Sequence, residues 1–120
     1  MNILLTNSTF DQAERFFHTA MEEYSRPEED VVPYMVCQSA YSAVLNYLKS
    51  YIEAHERASL ESDTPEVLLS ECRIINSGFN DLNLDIFKLK DENDDALMSM
   101  STMQRYMNIL SQTRQLVGLN

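Results

Sequence analysis

The sequence predicts an all-α protein, an up-and-down bundle of four main helices plus one short helix, and three observations lead there. Only two glycines and three prolines occur among 120 residues, which favours long helices over strands and tight turns. Apolar residues recur at spacings of three and four along most of the chain. The three prolines, Pro27, Pro33 and Pro65, stand between those periodic stretches, where proline can open a helix but not continue one. A chain of this length forms one domain, residues 1–120, and can bury roughly two-thirds of its unfolded surface. It contains no internal repeat, low-complexity tract or long linker.

The first helix is expected from Ser8, where Ser8-x-x-Asp11 fits a capping box. Phe10, Ala13, Phe17, Ala20 and Tyr24 form its apolar stripe, widened by Phe16 and Met21. The preceding Ile3-Leu4-Leu5 reads as a strap over the helix end. Arg26-Pro27-Glu28-Glu29-Asp30 stops the helix, because proline restricts the residue before it and donates no amide hydrogen.

The second helix is expected from Pro33 to about Ala58. Cys37, Ala40, Val44, Tyr47, Tyr51 and Ala54 make one stripe, and Tyr34, Gln38, Tyr41, Leu45, Leu48 and Ile52 make another beside it. No acidic residue occurs from Val31 to Ile52 in a strongly acidic protein. A helix apolar on most sides is buried on most sides, so this one is either the centre of the bundle or half of a dimer interface. Asp63-Thr64-Pro65 announces a third, shorter helix with Leu68, Leu69, Cys72 and Ile75 inward and Gly78 as its stop. Between Phe79 and Lys90, Leu82, Leu84 and Ile86 alternate like a strand, while Phe79, Leu82, Ile86 and Leu89 fit a helix. With no second strand to pair with, a short helix is expected. The acidic Asp91-Glu92-Asn93-Asp94-Asp95 precedes the last helix, where its dipole favours negative charge. That helix, about Ala96 to Val117, turns Leu97, Met100, Met103, Met107 and Leu110 inward, with Tyr106, Ile109 and Leu116 alongside, and ends at Gly118. It too lacks acids, and it carries Arg105 and Arg114.

The formal charge of −10 disfavours long nucleic-acid tracts and acidic lipid. No apolar run approaches the roughly 20 residues needed to cross a bilayer, and no signal peptide is evident. A cytoplasmic location is therefore expected, with Cys37 and Cys72 as buried thiols rather than a disulfide.

Most chemistries fail on spacing. Neither His18 nor His55 has a glutamate three residues before it, so a di-iron bundle is excluded. The two cysteines and two histidines lack paired zinc-ligand spacing. Glu14, His18 and Glu22 share a helix face that could hold a divalent ion, but the plainer reading is a solvated polar face. His55 reads as an exposed or dipole-stabilised side chain near a helix end. Cys37 has no local base, no glycine-rich phosphate loop exists, and the carboxylate clusters lack calcium-loop spacing. The methionines of the last helix read as core, although they could form an adaptable face. No catalytic residue, metal or cofactor is therefore assigned. Arg105 and Arg114, with Gln38 and Tyr41, are the candidate ligand-binding residues, suited to a small phosphate-bearing ligand or an acidic partner segment.

The run from Tyr34-Met35-Val36-Cys37-Gln38-Ser39-Ala40-Tyr41 to Tyr51-Ile52, followed by Asp63-Thr64-Pro65-Glu66-Val67-Leu68-Leu69-Ser70-Glu71-Cys72 and then Phe79, resembles the HEPN domains (higher eukaryotes and prokaryotes nucleotide-binding). The similarity spans roughly Phe10 to Phe87 and rests on hydrophobic patterns. It implies a small helical bundle, often a homodimer, linked to nucleotide or RNA chemistry and to bacterial toxin–antitoxin or defence systems. Ribonuclease members carry Arg-x(4–6)-His, which is missing here: Arg15 stands too close to His18, and no histidine follows Arg57, Arg73, Arg105 or Arg114. The expectation is a catalytically inactive binding or assembly module, homodimeric or with a protein partner. The alternative is a generic helical protein–protein adaptor with no ligand site.

Overall fold

The computed structural model describes residues 8–55, 64–88 and 100–118. Helix α1 spans Ser8–Tyr24, α2 Pro33–Ala54, α3 Pro65–Ile75 and α4 Met100–Gly118, with short 3-10 turns at Glu28–Asp30, Ser77–Asp81 and Asp85–Lys88. The fold is an all-α helical bundle, and no strand occurs among the described residues. The expected strap at Ile3-Leu4-Leu5, the Asp91–Asp95 loop and the Ala96 start of the last helix lie outside the described residues.

Helix α2 is the centre. Pro33 opens it and Val32 precedes it in extended conformation, as a proline requires. It packs against α1, α3 and α4. Its first stripe is core: Cys37, Ala40, Val44, Tyr47 and Tyr51 are buried. The second stripe is graded, with Tyr34 exposed, Gln38, Tyr41 and Leu45 half-buried, and Leu48 and Ile52 buried. The start of α2 thus emerges from the bundle while its end is enclosed. The two acid-free helices, α2 and α4, pack on each other within one chain.

Side-chain contacts fix two helix directions. Phe10 and Glu14, early in α1, meet Tyr47, late in α2, so these helices are antiparallel. The Phe87 ring lies against both Tyr41 (5.0 Å) and Tyr106 (4.9 Å), while Arg114 reaches Tyr47. Helix α4 therefore runs in the same sense as α2.

Thr64 caps α3 by accepting the Val67 amide hydrogen at 3.4 Å, with Pro65 in the first turn. The helix stops at Asn76, whose side chain accepts the Gly78 amide at 2.8 Å; a Cβ at Gly78 would sit 3.2 Å from that same Asn76 oxygen. The short helix expected over 79–90 takes the form of two short 3-10 helices, Ser77–Asp81 and Asp85–Lys88, joined by residues 82–84, and residues 89 and 90 lie outside the described residues. The Arg73 guanidinium binds this segment to α3, donating to the Phe79 and Leu82 carbonyls at 3.3 and 2.8 Å. Leu82, Leu84 and Ile86 are all buried. The strand-like alternation was therefore a true signal of inward side chains, in a segment whose backbone groups bond to a side chain and to local turns.

Candidate functional site

The most structured polar cluster joins α1, α2 and α4. Glu14 lies on the flank of the α1 apolar stripe, four residues after Phe10 and three before Phe17. Arg114 holds the matching flank position on α4, four residues after Leu110. Between them Tyr47 is wholly buried, and its hydroxyl needs a partner. Arg114 grips Glu14 with two parallel hydrogen bonds, Nε to Oε2 at 3.0 Å and Nη2 to Oε1 at 3.1 Å. The same Nε lies 3.1 Å from the Tyr47 hydroxyl, and that hydroxyl donates to Glu14 Oε2. The guanidinium also sits over the Phe17 ring, 4.3 Å from its centroid.

These contacts set the protonation states. Burial works against the charged form of Glu14, but hydrogen bonds from Arg114 and Tyr47 and the Arg114 charge together outweigh it, so the carboxyl is held below its ordinary value. Burial, then the carboxylate beside it, pushes the Tyr47 phenol up, and the hydrogen bonds to Glu14 raise Arg114 further. The cluster is therefore a carboxylate, a neutral phenol and a guanidinium whose charges cancel. Both Glu14 oxygens are occupied, so nothing is poised as a base or as an open anion receptor. Its chemistry is that of a clasp across three helices.

The four candidate binding residues are not brought to one place. Arg105 and Arg114 are nine residues apart on one helix, a rotation of about 900°, which puts them on opposite faces. Arg105 is exposed and lines an open cleft of about 460 Å³ with Asn83, Asp85, Ile86, Asn108 and Ile109. Neither Gln38 nor Tyr41 lines it. Tyr41 packs its ring on Phe87. Gln38 has its side-chain carbonyl oxygen buried without a hydrogen-bond partner among the described residues. A second cleft, about 350 Å³, opens between α3 and residues 83–85, and there Glu66 and Asp85 offset Arg73.

Of the other residues weighed, His18 is exposed, with its ring 5.4 Å from that of Phe17. His55 is exposed at the end of α2, its Nδ1 2.9 Å from the Tyr51 carbonyl. Glu14 belongs to the clasp rather than to a solvated face. Among the described residues no group of three or more His, Cys, Asp or Glu side chains could hold a metal ion. Cys37 and Cys72 are buried free thiols, pushed up by burial to about 11 and about 12. No described helix is long and apolar enough to cross a membrane.

The exposed surface carries one further feature. Among the described residues, five of the six exposed large apolar side chains, Met21, Val32, Tyr34, Met35 and Met100, belong to one end of the bundle. Met21 lies near the end of α1, the next three at the start of α2, and Met100 at the start of the parallel α4. The charge pattern of the sequence drew attention to acid-free helices, but it did not separate residues closing the core from those left outside it.

No protein-family model, curated protein or solved structure matches the chain.

Proposed function

We propose that this chain is a HEPN-like helical module that acts by binding and assembly rather than by catalysis, and that it binds through the end where α2 begins. The carrying observation is that concentration of exposed apolar side chains. Val32 and Met35 are 46% and 48% exposed on a protein whose formal charge is −10. Scattered surface apolar residues are ordinary, whereas a contiguous group rimmed by polar residues marks an interaction site. Self-neutralised charges in the clasp and enclosed thiols favour a binding role over a chemical one. A second copy docking at this end would make the homodimer that the resemblance implies, and another protein would make a mixed assembly.

The test compares wild type with Met35→Asp by light scattering and by uptake of an apolar fluorescent dye, with Ile74→Asp as a control at a distant exposed apolar residue. Self-association or dye uptake that Met35→Asp abolishes and Ile74→Asp preserves supports the reading. Identical behaviour of all three proteins overturns it.

A second reading, a nucleotide-linked module, is favoured by the Arg105 cleft, where a guanidinium and the Asn108 and Asn83 side chains border one opening. Asp85 in the same lining works against a phosphate. Thermal-shift measurements with a panel of nucleotides and short RNAs test it. Stabilisation lost on Arg105→Gln supports this reading, and no stabilisation by any of them removes it.

A further inference from the structure

We propose that the exposed apolar end accepts an amphipathic segment of another protein, apolar along one face and basic along its flanks. This rests on the binding role proposed above and adds the chemistry of the partner. The patch itself calls for an apolar face on the partner. Three of its five large side chains are methionines (Met21, Met35 and Met100), whose unbranched, polarisable thioethers adapt to differently shaped apolar partners. Tyr34 adds a ring, 40% exposed, at the centre of the α2 start.

The charge around the patch specifies the rest. Residues 22–30 carry five carboxylates (Glu22, Glu23, Glu28, Glu29 and Asp30) against the single Arg26. Arg26 is already held by Glu23 at 3.1 Å. The other four acids are exposed, and the 3-10 turn Glu28–Asp30 leads directly into Val32 and Tyr34. An apolar segment without charge would leave this rim uncompensated. A second copy would bring the same carboxylates toward it, and like charges across an interface are costly. Basic residues flanking an apolar stripe satisfy both parts, and the negative field would also steer such a segment in.

The experiment is fluorescence anisotropy of the full chain with two labelled synthetic helical peptides of equal length. One carries Leu and Lys at helical spacing, the other Leu and Glu. The proposal expects the Leu/Lys peptide to bind and the Leu/Glu peptide not to. Affinity should fall about tenfold on Met35→Asp, in line with losing burial of one apolar side chain. A salt-sensitive loss of similar size is expected on Glu28→Gln/Glu29→Gln/Asp30→Asn. Met35→Asp adds a negative charge, so equal or tighter binding to that variant would show attraction by charge alone and overturn the proposal. Equal binding of the Leu/Glu peptide would overturn the partner chemistry while leaving the binding end intact. Self-association dependent on Met35, with neither peptide bound, would make the occupant a second copy and likewise overturn the proposal alone. No association of any kind, with Met35→Asp indistinguishable from wild type, would remove the binding end itself.

Discussion

Replacing Arg114 by methionine removes the guanidinium while keeping much of the stem, and the structure allows the cost to be worked out. Two hydrogen bonds to Glu14, at 3.0 and 3.1 Å, are lost together with the ion pair. The Arg114 side chain is 43% exposed and that of Glu14 25%, so water screens the pair. Its bidentate geometry places it near the top of the range for exposed pairs, about 1 kcal/mol. Loss of the cation from the Phe17 face adds about 0.5 kcal/mol. Tyr47 keeps Glu14 as its acceptor, so no buried hydroxyl is orphaned and no further penalty of about 1–3 kcal/mol arises. The expected destabilisation is therefore about 1.5 kcal/mol. Urea unfolding followed by far-UV circular dichroism should show a lower midpoint with an unchanged slope. A double-mutant cycle with Glu14→Gln should return a coupling of about 1 kcal/mol. A coupling below about 0.3 kcal/mol would refute the clasp as a stabilising contact across α1 and α4.

Three further outcomes follow from the same geometry. The Glu14 carboxyl is held below its ordinary value of 4.5, so its stabilisation is present above that pH and is lost as pH falls through the folded value; the stability gap between wild type and Glu14→Gln should narrow progressively as the pH is lowered below 4.5. Burial raises the Cys37 and Cys72 thiols to about 11 and about 12, so at pH 8 neither should react with a thiol reagent in the folded protein, and both should react in urea. Replacing Gln38 by methionine removes a buried carbonyl oxygen that has no donor among the described residues and should raise stability by about 1 kcal/mol in urea, whereas a loss of that size would mean the amide is bonded in solution.

The fold was legible because its signals were periodic. The double stripe of α2 predicted a helix enclosed on most sides, and α2 contacts all three other helices. The same pattern could not say whether its neutrality served the bundle or a dimer; the packing of α2 on α4 uses much of it within one chain. Residues 79–90 gave a divided signal, because buried positions at alternate residues satisfy a strand while a subset also fits a helix, and the chain forms short 3-10 helices there. Arg73 ties the segment to α3 through the Phe79 and Leu82 carbonyls, a contact that no periodic pattern in the sequence marks. The candidate site was less legible. The separation of Arg105 from Arg114 followed from helical geometry alone, since nine residues turn a side chain to the opposite face. The clasp did not, because Glu14 and Arg114 are 100 positions apart and the flank of an apolar stripe carries no periodic mark. The signal available was Tyr47, a phenol in the middle of an apolar stripe whose hydroxyl had to meet a polar group.

The most direct test of the central claim, that binding is exercised at the start of α2, is an amide chemical-shift titration of the full chain with the Leu/Lys peptide. Shifts should concentrate at residues 21, 32, 34, 35 and 100, with the exposed positions Asn108, Ser111 and Gln115 in the far half of α4 unmoved. Shifts centred on that far half of α4, or spread evenly over the bundle, would contradict the claim.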